Sequence, residues 1–414
     1  MLASCLIWGF AALSAVHAGS VAPLSLNRKV ATAWFAGWHA DAGFPVSSIS
    51  WSKYTEVTYS FAITTPDVNS VSLEGSNPAV LPQFVAAAHQ HGVKAKVSVG
   101  GWTGSLYWST AVGSAANRTA FVKTLTNFAA KYKLDGLDFD WEYPGRQGIG
   151  CNTINPSDSA NFLAFLQELR RDPRGSKLIL TAAVSITPFT GPDGNPLADV
   201  SAFSKVLDYI AIMNYDIWGP WSPTVGPNAP LTDACAAPAN QAGSATSAIA
   251  AWTAARMPVN QLVLGVPAYG HSFRVRRASA FAPGSRSALA AYPPFDKSSP
   301  PTGDAWDDPA GADECGNPTS PGGNFNFWGV IQAGLLNRDG SPKAGVPFRF
   351  DQCSQTAYVY NSTSEVMISF DNAQAFAAKG SLIRSRGLRG FAMWEAGGDS
   401  RDILLDSIRH AAGF

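Results

Sequence analysis

The chain has 414 residues, of which 30 are basic and 30 acidic, so its formal charge is zero; 46% of the residues are hydrophobic and only 14% charged. With no basic field to attract nucleic acid or anionic lipid, the balance argues for a small or neutral substrate and against nucleic-acid or membrane partners. The length suits two or three average domains, or one α/β barrel with additions.

Residues 1–18, MLASCLIWGFAALSAVHA, form an apolar run ending in the small-x-small pattern Val16-His17-Ala18. It predicts a secretory leader, although no Lys or Arg precedes the run. An uncleaved anchor is the competing reading, and the run is short for a spanning helix. Export implies an extracellular, oxidising setting, in which Cys5 leaves with the leader and Cys151, Cys235, Cys315 and Cys353 remain as an even set of disulfide candidates. Three pairings are possible. The one expected is Cys151 with Cys235 and Cys315 with Cys353; the alternatives are buried thiols or a metal site, and no C-x-x-C spacing supports metal. Asn117-Arg-Thr and Asn361-Ser-Thr are glycosylation candidates consistent with export.

Strand-type apolar runs then recur along the chain: Val30 to Trp38, Tyr54 to Ala62, Val93 to Gly100, Leu134 to Glu142, Leu178 to Ser185, Tyr209 to Tyr215, Leu262 to Tyr269 and Leu388 to Glu395. Amphipathic helices are expected between several of them, over Leu81 to His91, Thr119 to Lys133 and Ser157 to Arg171. In the last, Phe162, Leu163, Phe165, Leu166 and Leu169 form the i, i+3, i+4, i+7 stripe. Continuously apolar strands alternating with helices imply a covered parallel sheet. Eight such strands predict an α/β fold, a closed (β/α)₈ TIM barrel.

From 272 to 368 the chain is rich in Pro, Gly, Ser and Asp, with isolated strand-like pieces at Phe325 to Val330 and Ala357 to Tyr360. A structureless loop of that length is improbable in a compact domain. The expectation is a small α+β subdomain between strands seven and eight, leaving 19–271 and 369–414 to the barrel.

The fourth strand carries the most chemistry. Leu134-Asp-Gly-Leu-Asp-Phe-Asp-Trp-Glu142 puts Asp138, Asp140 and Glu142 at alternate positions, and alternate side chains share one face of a strand, ~7 Å apart per two-residue step. Three neighbouring carboxyls repel one another, which raises at least one pKa, and a carboxyl protonated near neutrality is a general acid. The bland alternative is a solvated acidic face on an edge strand; the density of Leu, Phe and Trp, and the turn Tyr143-Pro144-Gly145, argue against it. Glu142 falls at the carboxyl end of its strand, where barrel enzymes place catalytic groups. Ser98-Val-Gly-Gly-Trp102, Met213-Asn-Tyr-Asp216, Pro267-Ala-Tyr269 and Met393-Trp-Glu395 occupy other strand ends, where aromatics can stack on sugar rings.

Together these motifs resemble glycoside hydrolase family 18, the chitinases, of the secreted fungal and bacterial type with an inserted α+β subdomain. Asp135-Gly-Leu-Asp138-Phe-Asp140-Trp-Glu142 matches the family's D-x-x-D-x-D-x-E signature, and Ser98-Val-Gly-Gly101 its S-x-G-G motif. The resemblance implies that Glu142 protonates the glycosidic oxygen and later activates water. It implies a substrate-assisted, retaining route in which the sugar's own N-acetyl oxygen attacks the anomeric carbon, an exception to the two-carboxylate scheme. Asp140 would bind the acetamide N–H, Asp138 would share a proton with Asp140, and the three carboxyls would titrate as a set. Ser98 would hold Asp138, and Tyr215 would donate to the acetamide oxygen. Trp394 would floor the site, with Met213, Asp216, Tyr269 and Phe61 lining it and Trp102, Trp218 or Trp221 stacking the leaving side. No metal or organic cofactor is implied; the partners are chitin and chitooligosaccharides, and the chain is expected to act as a monomer.

Two departures stand out. Trp34 occupies a first-strand position where relatives often carry Tyr, removing a hydroxyl that could steady the carboxylates. His271 stands where many have Arg, and an imidazole cannot reproduce a guanidinium fork, which puts contacts to the sugar or to Asp216 in question. Asp135, on the opposite face, reads as structural. The leading functional reading is a secreted chitinase. An endo-β-N-acetylglucosaminidase would share the signature, and a chitin-binding lectin on the same barrel would typically lack the acid that this chain keeps as Glu142. A barrel oxidoreductase finds no glycine fingerprint or phosphate-binding motif to support it.

Overall fold

The computed structural model describes residues 28–414. The expected leader, with Cys5, lies outside the described residues.

Seven parallel strands come first: β1 (Val30–Ala36), β2 (Glu56–Thr64), β3 (Lys94–Gly100), β4 (Gly136–Asp140), β5 (Ile179–Val184), β6 (Tyr209–Ile212) and β7 (Leu262–Pro267). The chain then leaves the ring and builds an antiparallel sheet from β8 (Tyr269–Arg274), β9 (Asn324–Asn326), β10 (Phe348–Asp351), β11 (Thr356–Asn361) and β12 (Val366–Phe370), in the order β9-β8-β12-β11-β10. It returns as β13 (Gly390–Trp394), which pairs with both β7 and β1, while β1 pairs with β2. The ring of eight is therefore closed and has no free edge.

Side-chain alternation sorts the two faces of β4. Leu137, Phe139 and Trp141 belong to the outer hydrophobic core, where Phe139 and Trp141 pack on Trp108 and Phe162 beneath helices α1 (Ala115–Tyr132) and α2 (Asp158–Arg171). Asp138 and Asp140 are left to the barrel interior, beside a small inner cluster of Trp34, Ala183, Tyr209, Ala211, Val263 and Ala392. Phe162, Phe165, Leu166 and Leu169 are the buried stripe of α2.

Several boundaries differ from the sequence expectation for physical reasons. Helix α1 starts at Ala115 rather than Thr119, because the Ser114 hydroxyl accepts from Asn117 N and caps it. The sixth strand ends at Ile212, and Asp216 adopts a left-handed backbone, φ 56°, that no strand tolerates. Tyr269 opens the antiparallel sheet instead of ending β7; Gly270 pairs so closely with β12 that a Cβ there would sit 2.1 Å from the Ser369 carbonyl.

The disulfides correct the expected pairing: Cys151 bonds Cys315 and Cys235 bonds Cys353, with Cα atoms 5.7 and 6.0 Å apart. The loop after Glu142 and the Gly311–Thr319 hairpin of the inserted segment meet in space, which brings Cys151 to Cys315. Asn117 lies in the first turn of α1, its amide nitrogen donating to Thr110 O at 2.8 Å. Asn361 shapes the turn after β11, accepting through Oδ1 from Thr363 N and Ser364 N.

Candidate active site

Parallel register sets Ser98, Asp138 and Thr181 side by side on β3, β4 and β5. Within the barrel the Asp138 carboxylate is fully engaged. Ser98 Oγ donates to Oδ2 at 2.8 Å, the Trp34 indole N–H donates to the same oxygen at 3.0 Å, and the Thr181 hydroxyl donates to Oδ1 at 2.5 Å. The hydroxyl expected to be missing at Trp34 is thus replaced by an indole N–H, a group that can only donate. Thr181 is a partner the sequence reading does not name; a hydroxyl interrupting the apolar stretch from Leu178 to Val184 is the signal that marks it.

Asp140 is different. Its Oδ1 is buried and has no hydrogen-bond partner among the described residues, and its carboxyl is pushed well above the usual range by burial first, then by the charges of Glu142 and Asp138. A buried polar atom without a partner calls for an explanation, and here a ligand group supplies one.

Glu142 stands two residues beyond the end of β4 and is 9% exposed. Its carboxyl is pushed up to about 7, chiefly by burial, with the charge of Asp216 adding to the rise. Repulsion along the motif therefore acts on Asp140, while Glu142 owes its shift mainly to loss of solvent. Its backbone is clamped on both sides: Glu142 N donates to Ser105 Oγ at 3.1 Å, and Asn152 Nδ2 donates to Glu142 O at 3.2 Å. The paired glycines of the S-x-G-G motif make this approach possible. Gly100 has φ 113°, a Cβ on it would lie 2.1 Å from the Asp140 carbonyl oxygen, and Gly101 N donates to that oxygen at 2.8 Å.

Two strands further round the ring, just beyond the end of β6, Tyr215 is partly buried, and its phenol is pushed well above the usual tyrosine range by burial, Asp140, Asp216 and Glu142. It stays protonated and able to donate. Asp216 Oδ1 accepts from Tyr269 Oη at 2.6 Å and lies 2.8 Å from His271 Nε2. The contact that the missing guanidinium put in question is kept by the imidazole. Met213 packs with Trp394 against the inner cluster.

Aromatic surface surrounds these polar groups. Trp394 stacks on Phe61, with ring centroids 5.5 Å apart and planes 21° apart, and Trp38 continues the row at 6.1 Å from Phe61. Trp102 and Trp221 are 49% and 60% exposed, as stacking residues must be, whereas Trp218 is 3% exposed and belongs to the packed interior. Asp135 lies apart from the site, bound to Lys94 Nζ, His89 Nε2 and Ala95 N at 2.7, 2.8 and 3.0 Å.

Comparison with known proteins fits this arrangement. The chain is 55% identical over 392 residues to a chitinase-like effector from Moniliophthora roreri, covering 95% of each chain. It is 29% identical to Chitinase A1 from Niallia circulans, over 77% of this chain and 42% of that one. The crystal structure of a chitinase from Rhizomucor miehei superposes with a TM-score of 0.83 at 32% identity, covering 93% of this chain and all of that one. Residues 31–399 match the family described as Glycosyl hydrolases family 18, and the chain belongs to that family.

Proposed function

We propose that the protein is an exported chitinase that cleaves β-1,4 links between N-acetylglucosamine units with retention of configuration, the substrate's acetamide oxygen serving as nucleophile. The observation that carries this reading is Glu142, a buried acid at a barrel strand end with its carboxyl near 7. It is protonated in mildly acidic solution and gives that proton to the glycosidic oxygen as the C–O bond breaks. Asp140, with its unpartnered Oδ1, accepts the acetamide N–H and so turns the acetamide oxygen toward the anomeric carbon that it bonds. Tyr215 steadies the acetamide oxygen, and Trp394 supports the sugar from below. Glu142, now a carboxylate, takes a proton from the water that opens the oxazolinium ion and so recovers its starting state.

A second reading, a chitin-binding protein without turnover, is favoured by the 55% identity to a protein described as a chitinase-like effector. Hydrolysis and calorimetric binding of N-acetylated chitooligosaccharides, compared between wild type and Glu142→Gln, separate the two. The chitinase reading expects binding by both proteins and a loss of turnover of about 10²–10⁴-fold in the variant. Equal turnover by the two would sink the mechanism, and binding without turnover by either would establish the second reading.

A further inference from the structure

Beneath the carboxylates, the barrel interior holds a second polar cluster that the proposed chemistry leaves unused. Lys96 on β3 and Glu56 on β2 are 1% and 6% exposed, a costly place for charge. Lys96 Nζ lies 2.9 Å from Glu56 Oε2, 2.6 Å from Tyr209 Oη and 3.1 Å from Thr181 Oγ1. Tyr209 Oη in turn donates to Glu56 Oε2 at 3.0 Å.

The chemistry of lysine fixes the direction of every bond in this set. An ammonium has three protons and no lone pair, so all three contacts are donations from Lys96. Tyr209 accepts from Lys96 and spends its single proton on Glu56. Thr181 likewise accepts from Lys96, and among the described residues the acceptor left for its one proton is Asp138 Oδ1. The Trp34 indole, which can only donate, imposes the same polarity on Oδ2. Asp138 therefore receives donors on both oxygens, while its neighbour Asp140 keeps an unpartnered one.

We propose that Lys96, acting through Thr181, is a positioning residue that holds Asp138 as the anionic, accepting member of the carboxylate pair and keeps the shared proton on Asp140. This deepens the chitinase reading and rests on it for its catalytic consequence, since a protonated Asp140 is the form that meets the acetamide group. The alternative, that Lys96 and Glu56 only hold β2 and β3 together, gives Thr181 no part to play.

Thr181→Val keeps the shape and the Lys96–Glu56–Tyr209 contacts but removes the connecting hydroxyl, and Thr181→Ser restores it. The expected result is that Thr181→Val binds chitooligosaccharides with KM unchanged within about twofold, loses kcat by about tenfold to a hundredfold, and shows a displaced acid limb in its kcat–pH profile. Thr181→Ser should recover most of the loss. An independent readout is the titration of the two carboxyls by carbon-13 NMR of aspartate-labelled protein, with Asp138→Asn and Asp140→Asn assigning the signals. The Asp140 signal should change to that of an anion only well above the usual carboxylate range, and Thr181→Val should bring that change to lower pH. This second measurement needs no turnover, so an inactive wild type would count against the chitinase reading alone. If Thr181→Val does not fold, the double variant Lys96→Met, Glu56→Gln removes the cation without leaving a buried charge unpaired. Carboxyl titrations identical to those of the wild type in whichever variant folds would overturn the proposal.

Discussion

Replacing Glu142 by Gln should make the fold more stable in alkaline solution while removing its acid. The folded carboxyl sits near 7 against an ordinary 4.5. Below pH 4.5 the group is protonated whether the chain is folded or not, and it carries no penalty. As pH rises from 4.5 through about 7 the unfolded chain ionises first, so the folded state loses stability, and above 7 the loss is constant at about 3 kcal/mol. An unfolding entropy of ~2.1 cal/mol/K per residue over ~390 residues is about 0.8 kcal/mol/K, so this loss corresponds to about 4 °C in Tm. Gln keeps the shape and never ionises. Removing the charge of Glu142 also relieves Asp140, which acts in the same direction. Scanning calorimetry of both proteins at pH 4, 6 and 8 should show a Tm difference that grows in favour of the variant from acid to alkaline. A difference that is flat with pH, or that favours the wild type at pH 8, would refute the assignment of a buried, raised carboxyl to Glu142.

Asp216→Asn should move the alkaline limb of the kcat/KM–pH profile to lower pH, because the charge of Asp216 helps to raise the Glu142 carboxyl. Asn retains an oxygen to accept from Tyr269 and His271, so an unmoved limb would show that the Asp216 charge does not reach Glu142. Trp218→Ala and Trp102→Ala should divide cleanly. The first empties a packed site and should lower stability by about 3 kcal/mol in denaturant unfolding. The second should leave the unfolding midpoint unchanged and weaken chitooligosaccharide binding about tenfold by calorimetry.

Much of the architecture is legible in the chain because barrel strands are buried on both faces and read as apolar runs. The alternation of Asp138, Asp140 and Glu142 with Leu137, Phe139 and Trp141 likewise shows which side chains share a face. Periodicity within one strand does not show what lies across from it, and the features that escaped are of that kind. Thr181 and Lys96 gain their meaning from register with β4 and β2, which the sequence of any single strand leaves open. Trp34 reads in sequence as the loss of a hydroxyl, and only the fold brings its indole N–H onto Asp138. The disulfide pairing depends on where two long loops meet, and loop length carries no such direction. Tyr269 marks the same limit, since the point where the chain quits the ring for the second sheet is set by the tertiary pairing of Gly270 with β12.

The two disulfides interleave along the chain, Cys151 reaching to Cys315 and Cys235 to Cys353. Every peptide bond between residues 151 and 353 is consequently spanned by at least one bridge, and every bond between 235 and 315 by both. A protease that nicks an exposed turn of the inserted segment, at Gly284 or Gly345 for example, cannot release a fragment. The pieces stay tethered as one molecule until the sulfurs are reduced, so the inserted segment can be cut without being shed.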